Sequence, residues 1–153
     1  MFFRSTMKKG LYRTIHCCIW ADAKFNSLTD EQKLVWFHVL TNPFTTGIGI
    51  YNASIEGLAA HKKWDFPRYS SAFIAVAEKL GIIYDSDYQV IYITNFFKYN
   101  KPENPNVLTG LLKKVPVIPD CELRKVFLSD LETFAEGWGE GFAKVVANVR
   151  HTL

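Results

Sequence analysis

The middle of the chain alternates between apolar and polar positions in a way that predicts two helices followed by a hairpin. Ser54 is a good N-cap for a short helix, because its hydroxyl can accept from an amide two or three residues further on. Asp65 can cap a second, longer helix, and Gly81 can end it in the left-handed conformation. The apolar residues of the second helix recur at spacings of three and four, on Tyr69, Ala72, Phe73, Val76 and Leu80. The β-branched and aromatic runs at 82–84 and 90–93 then predict two strands.

Another helix and a strand are predicted before this unit. Thr29 and Gln32 fit a capping box. The helix that they begin runs to about Thr41, before Pro43, and it is apolar nearly all round, which is typical of a central, buried helix. Residues 48–51 predict a short strand that pairs with the hairpin. The order helix, strand, helix, helix, strand, strand predicts an α+β fold, and within that class a winged helix-turn-helix with a small antiparallel sheet and additional C-terminal helices.

The last third of the chain predicts those additional helices. Residues 95–102 interleave aromatics with lysines, so this stretch either stacks on bases or folds Phe96 and Phe97 back onto the core, and we prefer the second interpretation. One further helix begins at Asn104, and another is capped by Asp120.

These patterns divide the chain into four parts. Residues 1–12 are a basic N-terminal arm, and residues 13–103 form the winged-helix domain. Residues 104–136 are a C-terminal helical extension. Three glycines then alternate with other residues from position 137 onward, which is a flexible-linker signal, so residues 137–153 are predicted to be a flexible tail.

Charge is distributed unevenly along the 153 residues, although the net charge is only +3. Residues 1–114 carry 14 Lys and Arg against 9 Asp and Glu, a balance of +5. Residues 115–153 carry 4 against 6, a balance of −2. The basic character therefore lies in the predicted winged-helix part, where a nucleic acid would be contacted.

The residue types of catalytic and metal sites are present but scattered. The histidines show no metal-ligand spacing, and no nucleophile motif or phosphate-cradling glycine loop occurs. His38 lies on an apolar helix, which indicates a hydrogen-bonded core histidine. The three cysteines have no C-x-x-C spacing and are expected to be reduced. We therefore expect a binding protein without cofactor or metal rather than an enzyme. No apolar run approaches the roughly 18 residues of a membrane span, and we expect the protein to be cytoplasmic.

The candidate DNA contacts are basic, small or hydroxylated residues near the turn between the two central helices. Those of the turn and of the second helix are Lys62, Lys63, Arg68, Tyr69, Ser70, Ser71 and Lys79. Those of the N-terminal segment are Lys8, Lys9 and Arg13. Glu78 lies on the outward side of the second helix and favours the alternative of an ordinary solvated helix face. The hairpin tip carries Asp85 and Asp87, which suit a turn but oppose deep insertion beside phosphates.

Two motifs resemble a known family. The first is Ile19-Trp20-Ala21-Asp22 with Phe25 and Leu28, followed by Leu40-Thr41-Asn42-Pro43, Thr45-Thr46 and Gly49-Ile50-Tyr51. The second is Ile93-Thr94-Asn95-Phe96-Phe97-Lys98-Tyr99-Asn100, followed by Pro102-Glu103-Asn104-Pro105-Asn106. Together they are similar to the N-terminal domain of phage and prophage replication-initiation proteins, the replisome organisers, over roughly residues 11–142.

The resemblance implies a winged-helix domain that binds double-stranded origin DNA and helps to bring host replication proteins to it, such as the replicative helicase or its loader. Full-length members of the family continue into a C-terminal helicase-loading domain, whereas this sequence ends at Leu153. A fragment, a truncated prophage copy and a stand-alone protein are therefore alternatives.

Two classes of binding protein are left open by the sequence. The first is the DNA-binding replication protein. The second is a protein-interaction winged helix that serves as an oligomerisation platform, with homo-oligomers expected, or as a phage-made inhibitor of a host factor. The acidic hairpin tip and the modest charge favour the second class, and the chemistry of the two central helices favours the first.

Overall fold

The computed structural model describes residues 11–153 and is α+β, with mostly helical structure and one small sheet. The helices are α1 (Ala23–Asn26), α2 (Asp30–Thr41), α3 (Ile55–Lys62), α4 (Phe66–Leu80), α5 (Phe96–Tyr99), α6 (Pro105–Leu111), α7 (Glu122–Trp138) and α8 (Glu140–Thr152). The strands are β1 (Ile50–Asn52), β2 (Ile82–Asp85) and β3 (Val90–Ile93). Two 3₁₀ segments lie at Cys17–Ala21 and Leu112–Val117. Lys8 and Lys9 of the predicted basic arm lie outside the described residues.

The predicted starts of α2, α3 and α4 are confirmed by their capping geometry. Thr29 and Gln32 form a reciprocal capping box at α2. The Ser54 hydroxyl accepts from the Gly57 amide at α3, and Asp65 caps α4 by accepting from the Arg68 amide. These are local interactions within four residues, which is why the sequence pattern suffices to predict them.

The sheet is antiparallel, with strand order β1-β3-β2. The hairpin pairs β2 with β3, and β1 adds to the other side of β3, with Tyr51 opposite Ile91. All four residues of the central strand β3 are buried. The predicted three-stranded sheet is therefore confirmed.

One continuous core joins the sheet to α2, α3, α4 and the C-terminal helices. The predicted stripe of α4 is buried at Tyr69, Ala72, Phe73 and Val76. The prediction of a central, buried α2 is wrong on one side of the helix, because Leu34 is 47% exposed. Apolar residues occur on every side of α2, but the helices and sheet of this small fold cover only part of it.

The aromatic residues at 96–97, after β3, belong to the core, which confirms the interpretation that we preferred from the sequence. Phe96 and Phe97 are both buried in α5, and the ring of Phe97 lies 5.6 Å from that of Trp138. Tyr92 in β3 donates its hydroxyl proton to Asp130 in α7 at 2.7 Å. These contacts join residues before position 103 to residues after it. Residues 104–136 are therefore part of the same core rather than an appended extension.

The prediction of a flexible tail over residues 137–153 is wrong. Helix α7 continues to Trp138, and α8 folds back on it with Phe142 and Val146 buried. Gly139 has a φ of 130°, a conformation that L side chains rarely adopt, and it allows the chain to reverse between the two helices. The glycines therefore mark a helix reversal, which composition alone does not distinguish from a linker.

Asp120 is not the cap that the sequence predicts for α7. The N-cap position is Cys121, which makes no side-chain cap hydrogen bond, and Asp120 instead pairs with Arg124 at 3.1 Å.

None of the helices within residues 11–153 has the length and apolar character that a membrane span requires.

Candidate nucleic-acid interface

The turn between α3 and α4 presents basic residues because its backbone reverses within three positions. Lys63 adopts the left-handed conformation with a φ of 62° and ends α3. The amide of Trp64 donates a hydrogen bond to the carbonyl of Ala59 at 3.1 Å, which satisfies a carbonyl in the last turn of α3. Asp65 then begins α4 as its N-cap. The side chains from Lys62 to Arg68 are thereby brought around one tight corner of the molecule.

Two cations of this corner lie against the ring of Trp64. The Lys62 ammonium is 4.3 Å from the ring centroid, and the Arg68 guanidinium carbon is 3.8 Å from it. Both distances are within the range of a cation–π interaction, which is attractive because the ring face carries negative charge. Trp64 therefore holds two positive charges close together before any ligand arrives.

Arg68 also pairs with a carboxylate of α2. Its Nε donates to Glu31 Oε1 at 2.8 Å, and its Nη2 donates to the same oxygen. The hydrogen bond to Glu31 raises the pKa of Arg68, so the guanidinium is charged. A phosphate that binds Arg68 must compete with this carboxylate.

Tyr69 is not a surface residue, which corrects its assignment as a DNA contact. It is fully buried in the stripe of α4, and its hydroxyl lies 2.7 Å from His38 Nδ1. The helical spacing that places Tyr69 on the apolar stripe excludes it from the outward side one residue after Arg68.

The outward side of α4 is mixed in character. Ser71 is exposed, Ser70 is half-buried, and Glu78 is exposed on the same helix. Ile74 is 53% exposed among them and was missed by the sequence reasoning, although its position three residues after Ser71 could have identified it. Lys79 is exposed, and its ammonium donates to the carbonyl of Ser27 at 3.2 Å beside α1.

Arg13 serves a structural role in place of the expected phosphate contact. Its Nε donates to the carbonyl of Leu40 at 2.8 Å, and its Nη2 donates to the carbonyl of Thr46 at 2.7 Å. The guanidinium also lies 5.2 Å from the centroid of the Phe96 ring. These contacts fasten the start of the described chain to the end of α2, so the assignment of Arg13 as a DNA contact is corrected.

The hairpin tip is built around Asp85, whose Oδ1 accepts from the amides of Asp87 and Tyr88, both at 3.0 Å. Asp85 thus acts as a turn former, as predicted from its residue type. Asp87 is exposed, and Tyr88 is 51% exposed beside it. The tip therefore presents a negative charge and an aromatic ring to solvent.

A hydrogen-bonded pair of histidines lies next to the basic corner, since His61 directly precedes Lys62. His38 Nε2 is 2.9 Å from His61 Nδ1, while His38 Nδ1 is bonded to Tyr69. Burial, His61 and Lys62 lower the pKa of His38 to about 4, so this ring is neutral at physiological pH. His38 is hydrogen-bonded, as expected, but it is half-buried rather than part of the core. Its pairing with His61 joins two helices and carries no signal in the sequence spacing.

Over residues 11–153, no three His, Cys, Asp or Glu side chains lie close enough together to hold a metal ion. The three cysteines have free thiols, with Cys17 and Cys18 exposed and Cys121 buried. We use the name α3–α4 surface for the side chains of Lys62, Lys63, Trp64, Arg68 and Ser71.

Comparison of the chain with family models, with curated proteins and with solved structures found no match in any of the three.

Proposed function

We propose that the chain binds double-stranded DNA through the α3–α4 surface. The observation that carries this proposal is the clustering of Lys62, Lys63 and Arg68 on one exposed corner, with two of the three held on the Trp64 ring. Cations that are already positioned lose less conformational freedom when they meet phosphates, and phosphate contacts provide most of the affinity of non-specific DNA binding.

We also infer that the fold is a winged helix. The order α2, β1, α3, α4, β2, β3 and the sheet order β1-β3-β2 support this inference. In such a fold α4 is the helix that enters the major groove, and the hairpin of β2 and β3 is the wing. The exposed hydroxyl of Ser71 on α4 is a small hydrogen-bonding group that suits close approach to base edges.

The biological setting that we propose comes from the resemblance to phage and prophage replication-initiation proteins. In that setting the DNA is a replication origin, and the partners are host replication proteins such as the replicative helicase or its loader. Self-association into a homo-oligomer would place several α3–α4 surfaces on one origin, which increases avidity without new contacts.

The salt dependence of binding tests the proposal. Affinity for a labelled random-sequence duplex, measured by fluorescence anisotropy, should fall steeply as salt rises, because bound counterions are released. Replacing Lys62, Lys63 and Arg68 with Ala should reduce the slope of log affinity against log salt by up to about 0.9 for each phosphate that the variant no longer neutralises.

A matched variant controls for the loss of positive charge alone. Changing Lys98, Lys113 and Lys114 to Ala also removes three exposed cations, but from other parts of the chain. This control should keep a slope close to that of the unmodified protein. Equal slopes for the two triple variants would contradict the proposed location.

A protein-binding surface is the second candidate function, and exposed Ile74 on α4 favours it. An apolar side chain that is 53% exposed adds little to a phosphate contact but can anchor a protein interface. Binding of this kind depends weakly on salt. If Ile74→Ser abolishes association with a purified host replication protein and leaves duplex affinity unchanged, this second function gains support.

A further inference from the structure

We propose that His61 is a phosphate-binding residue at the edge of the α3–α4 surface, and that Tyr69 and His38 are positioning residues that hold its imidazole ring. This proposal deepens the proposed function and rests on it where the phosphate belongs to DNA. Its geometry rests on three hydrogen-bonded side chains from three helices, α2, α3 and α4, and on His61 directly preceding Lys62 of the basic corner.

The two imidazole rings are joined edge to edge. The ring nitrogens are 2.9 Å apart, the ring centroids are 5.2 Å apart, and the planes differ by 15°. Nearly coplanar rings at this separation direct an N–H of one ring along the in-plane lone pair of the other, which is the favourable geometry for a hydrogen bond. The contact is therefore a hydrogen bond rather than face-to-face stacking.

The direction of the hydrogen bonds follows from the burial of Tyr69. A fully buried hydroxyl must donate its proton, and His38 Nδ1 is its side-chain partner among the described residues. His38 then accepts at Nδ1 and, being neutral, carries its proton on Nε2. That N–H donates to His61 Nδ1, so a neutral His61 carries its own proton on Nε2.

This arrangement leaves the donor of His61 available to solvent. Nε2 lies on the far side of the ring from Nδ1, and His61 is an exposed residue in the last turn of α3. The neighbouring residue Lys62 contributes positive charge, and the groups that act electrostatically on His38 are His61 and Lys62. An N–H in a cationic setting suits an anionic oxygen, and a phosphate held by Lys62 is the anion that the proposed function supplies.

The DNA arm of the test compares three substitutions of His61 against the random-sequence duplex. His61→Ala should weaken binding about three- to tenfold, the range of one hydrogen bond, and should leave the salt slope close to that of the unmodified protein because no lysine or arginine is removed. His61→Gln, whose amide nitrogen can occupy the position of Nε2, should restore most of the affinity. His61→Asn should not, since its amide reaches only the position of Nδ1. Unchanged affinity in His61→Ala overturns the proposal.

The positioning arm uses nitrogen NMR of the imidazole rings in the absence of DNA. Tyr69→Phe removes only the hydroxyl and keeps the buried ring. In the unmodified protein the ring-nitrogen shifts of neutral His61 should report a single tautomer with the proton on Nε2, and in Tyr69→Phe they should report a mixture. His151 is exposed on α8 and should be unaffected. A mixture of His61 tautomers in the unmodified protein would overturn the positioning role. A single, unchanged His61 tautomer in Tyr69→Phe would overturn it as well.

Inorganic phosphate separates failure of this inference from failure of the proposed function. If the duplex does not bind but inorganic phosphate shifts the His61 ring resonances, the phosphate site stands and DNA is the wrong ligand. If the duplex binds through Lys62, Lys63 and Arg68 while His61→Ala has no effect, the proposed function stands and this inference is wrong. If neither probe moves the His61 resonances, the phosphate site is overturned.

Discussion

At the scale of single residues, the α3–α4 surface depends on side chains that already interact with one another. Trp64 holds Lys62 and Arg68, and Glu31 occupies the guanidinium that a phosphate would use. In the proposed complex with DNA, Glu31 would therefore compete with a phosphate for Arg68. The residue composition of the turn reveals the cations, but it does not reveal a carboxylate that comes from another helix.

Removing that competitor should strengthen DNA binding. Glu31→Gln abolishes the ion pair with Arg68 and should raise affinity for the random-sequence duplex about two- to tenfold, because Arg68 becomes free to contact phosphate. Asp30→Asn is the matched control, since it removes one carboxylate at the adjacent position, where no ion pair with Arg68 is present. Equal gains in the two variants would show that only overall charge matters and would contradict a role for the pair.

His38 should make the stability of the protein depend on pH. Its pKa is lowered from 6.5 to about 4, so between these values the unfolded chain binds a proton at this position and the folded chain does not. The stabilisation by neutral His38 is therefore complete above pH 6.5 and is lost as the pH falls to about 4. Linkage gives ~3 kcal/mol for the full shift, which we reduce to ~1–2 kcal/mol because the ring is about half exposed.

Urea denaturation at both ends of this pH range measures the effect. The difference in free energy of unfolding between the unmodified protein and His38→Asn should shrink by ~1–2 kcal/mol on acidification. The matching difference for His151→Asn should not change, because His151 is exposed at the end of the chain. A His38 difference that is independent of pH would rule out this role for the residue.

At the scale of elements, the caps and periodicities predict α2, α3, α4 and the hairpin because each signal lies within a few residues. The C-terminal pair α7 and α8 shows where this reasoning fails. Glycine near a chain end is compatible with a linker and with a helix reversal, and only the burial of Phe142 and Val146 distinguishes them. Likewise, the link between His38 and His61 joins α2 to α3, so no spacing along the chain could predict it.

Helix α8 should contribute to global stability. Phe142→Ala should lower the free energy of unfolding by about 3–5 kcal/mol, as for other buried aromatics, because the side chain is in contact with the core through Trp138. Tyr12→Ala is the control, since Tyr12 is 77% exposed, and it should change stability by no more than about 0.5 kcal/mol. Chemical denaturation of both variants makes the measurement. If Phe142→Ala is as stable as the unmodified protein, residues 137–153 do not pack on the core and the prediction of a flexible tail holds.

At the scale of the whole molecule, one core supports a basic corner on α3 and α4 and an acidic tip on the hairpin. The two regions have opposite charge, so one extended DNA duplex would be attracted by the first and repelled by the second. We therefore propose that, in a complex with DNA, the duplex lies on the α3–α4 surface and the hairpin tip is turned away from the phosphates. The sequence predicted both charged regions, whereas the corrections to Tyr69 and Arg13 needed their burial and hydrogen bonds.

Amide NMR of the ¹⁵N-labelled chain, titrated with the random-sequence duplex, tests this placement of DNA most directly. We expect the largest shift changes between His61 and Ser71, and little change at the hairpin tip around Asp87 and in the helices α7 and α8. Changes centred on the hairpin or on the C-terminal helices, or no changes at duplex concentrations that saturate non-specific DNA-binding proteins, would contradict it.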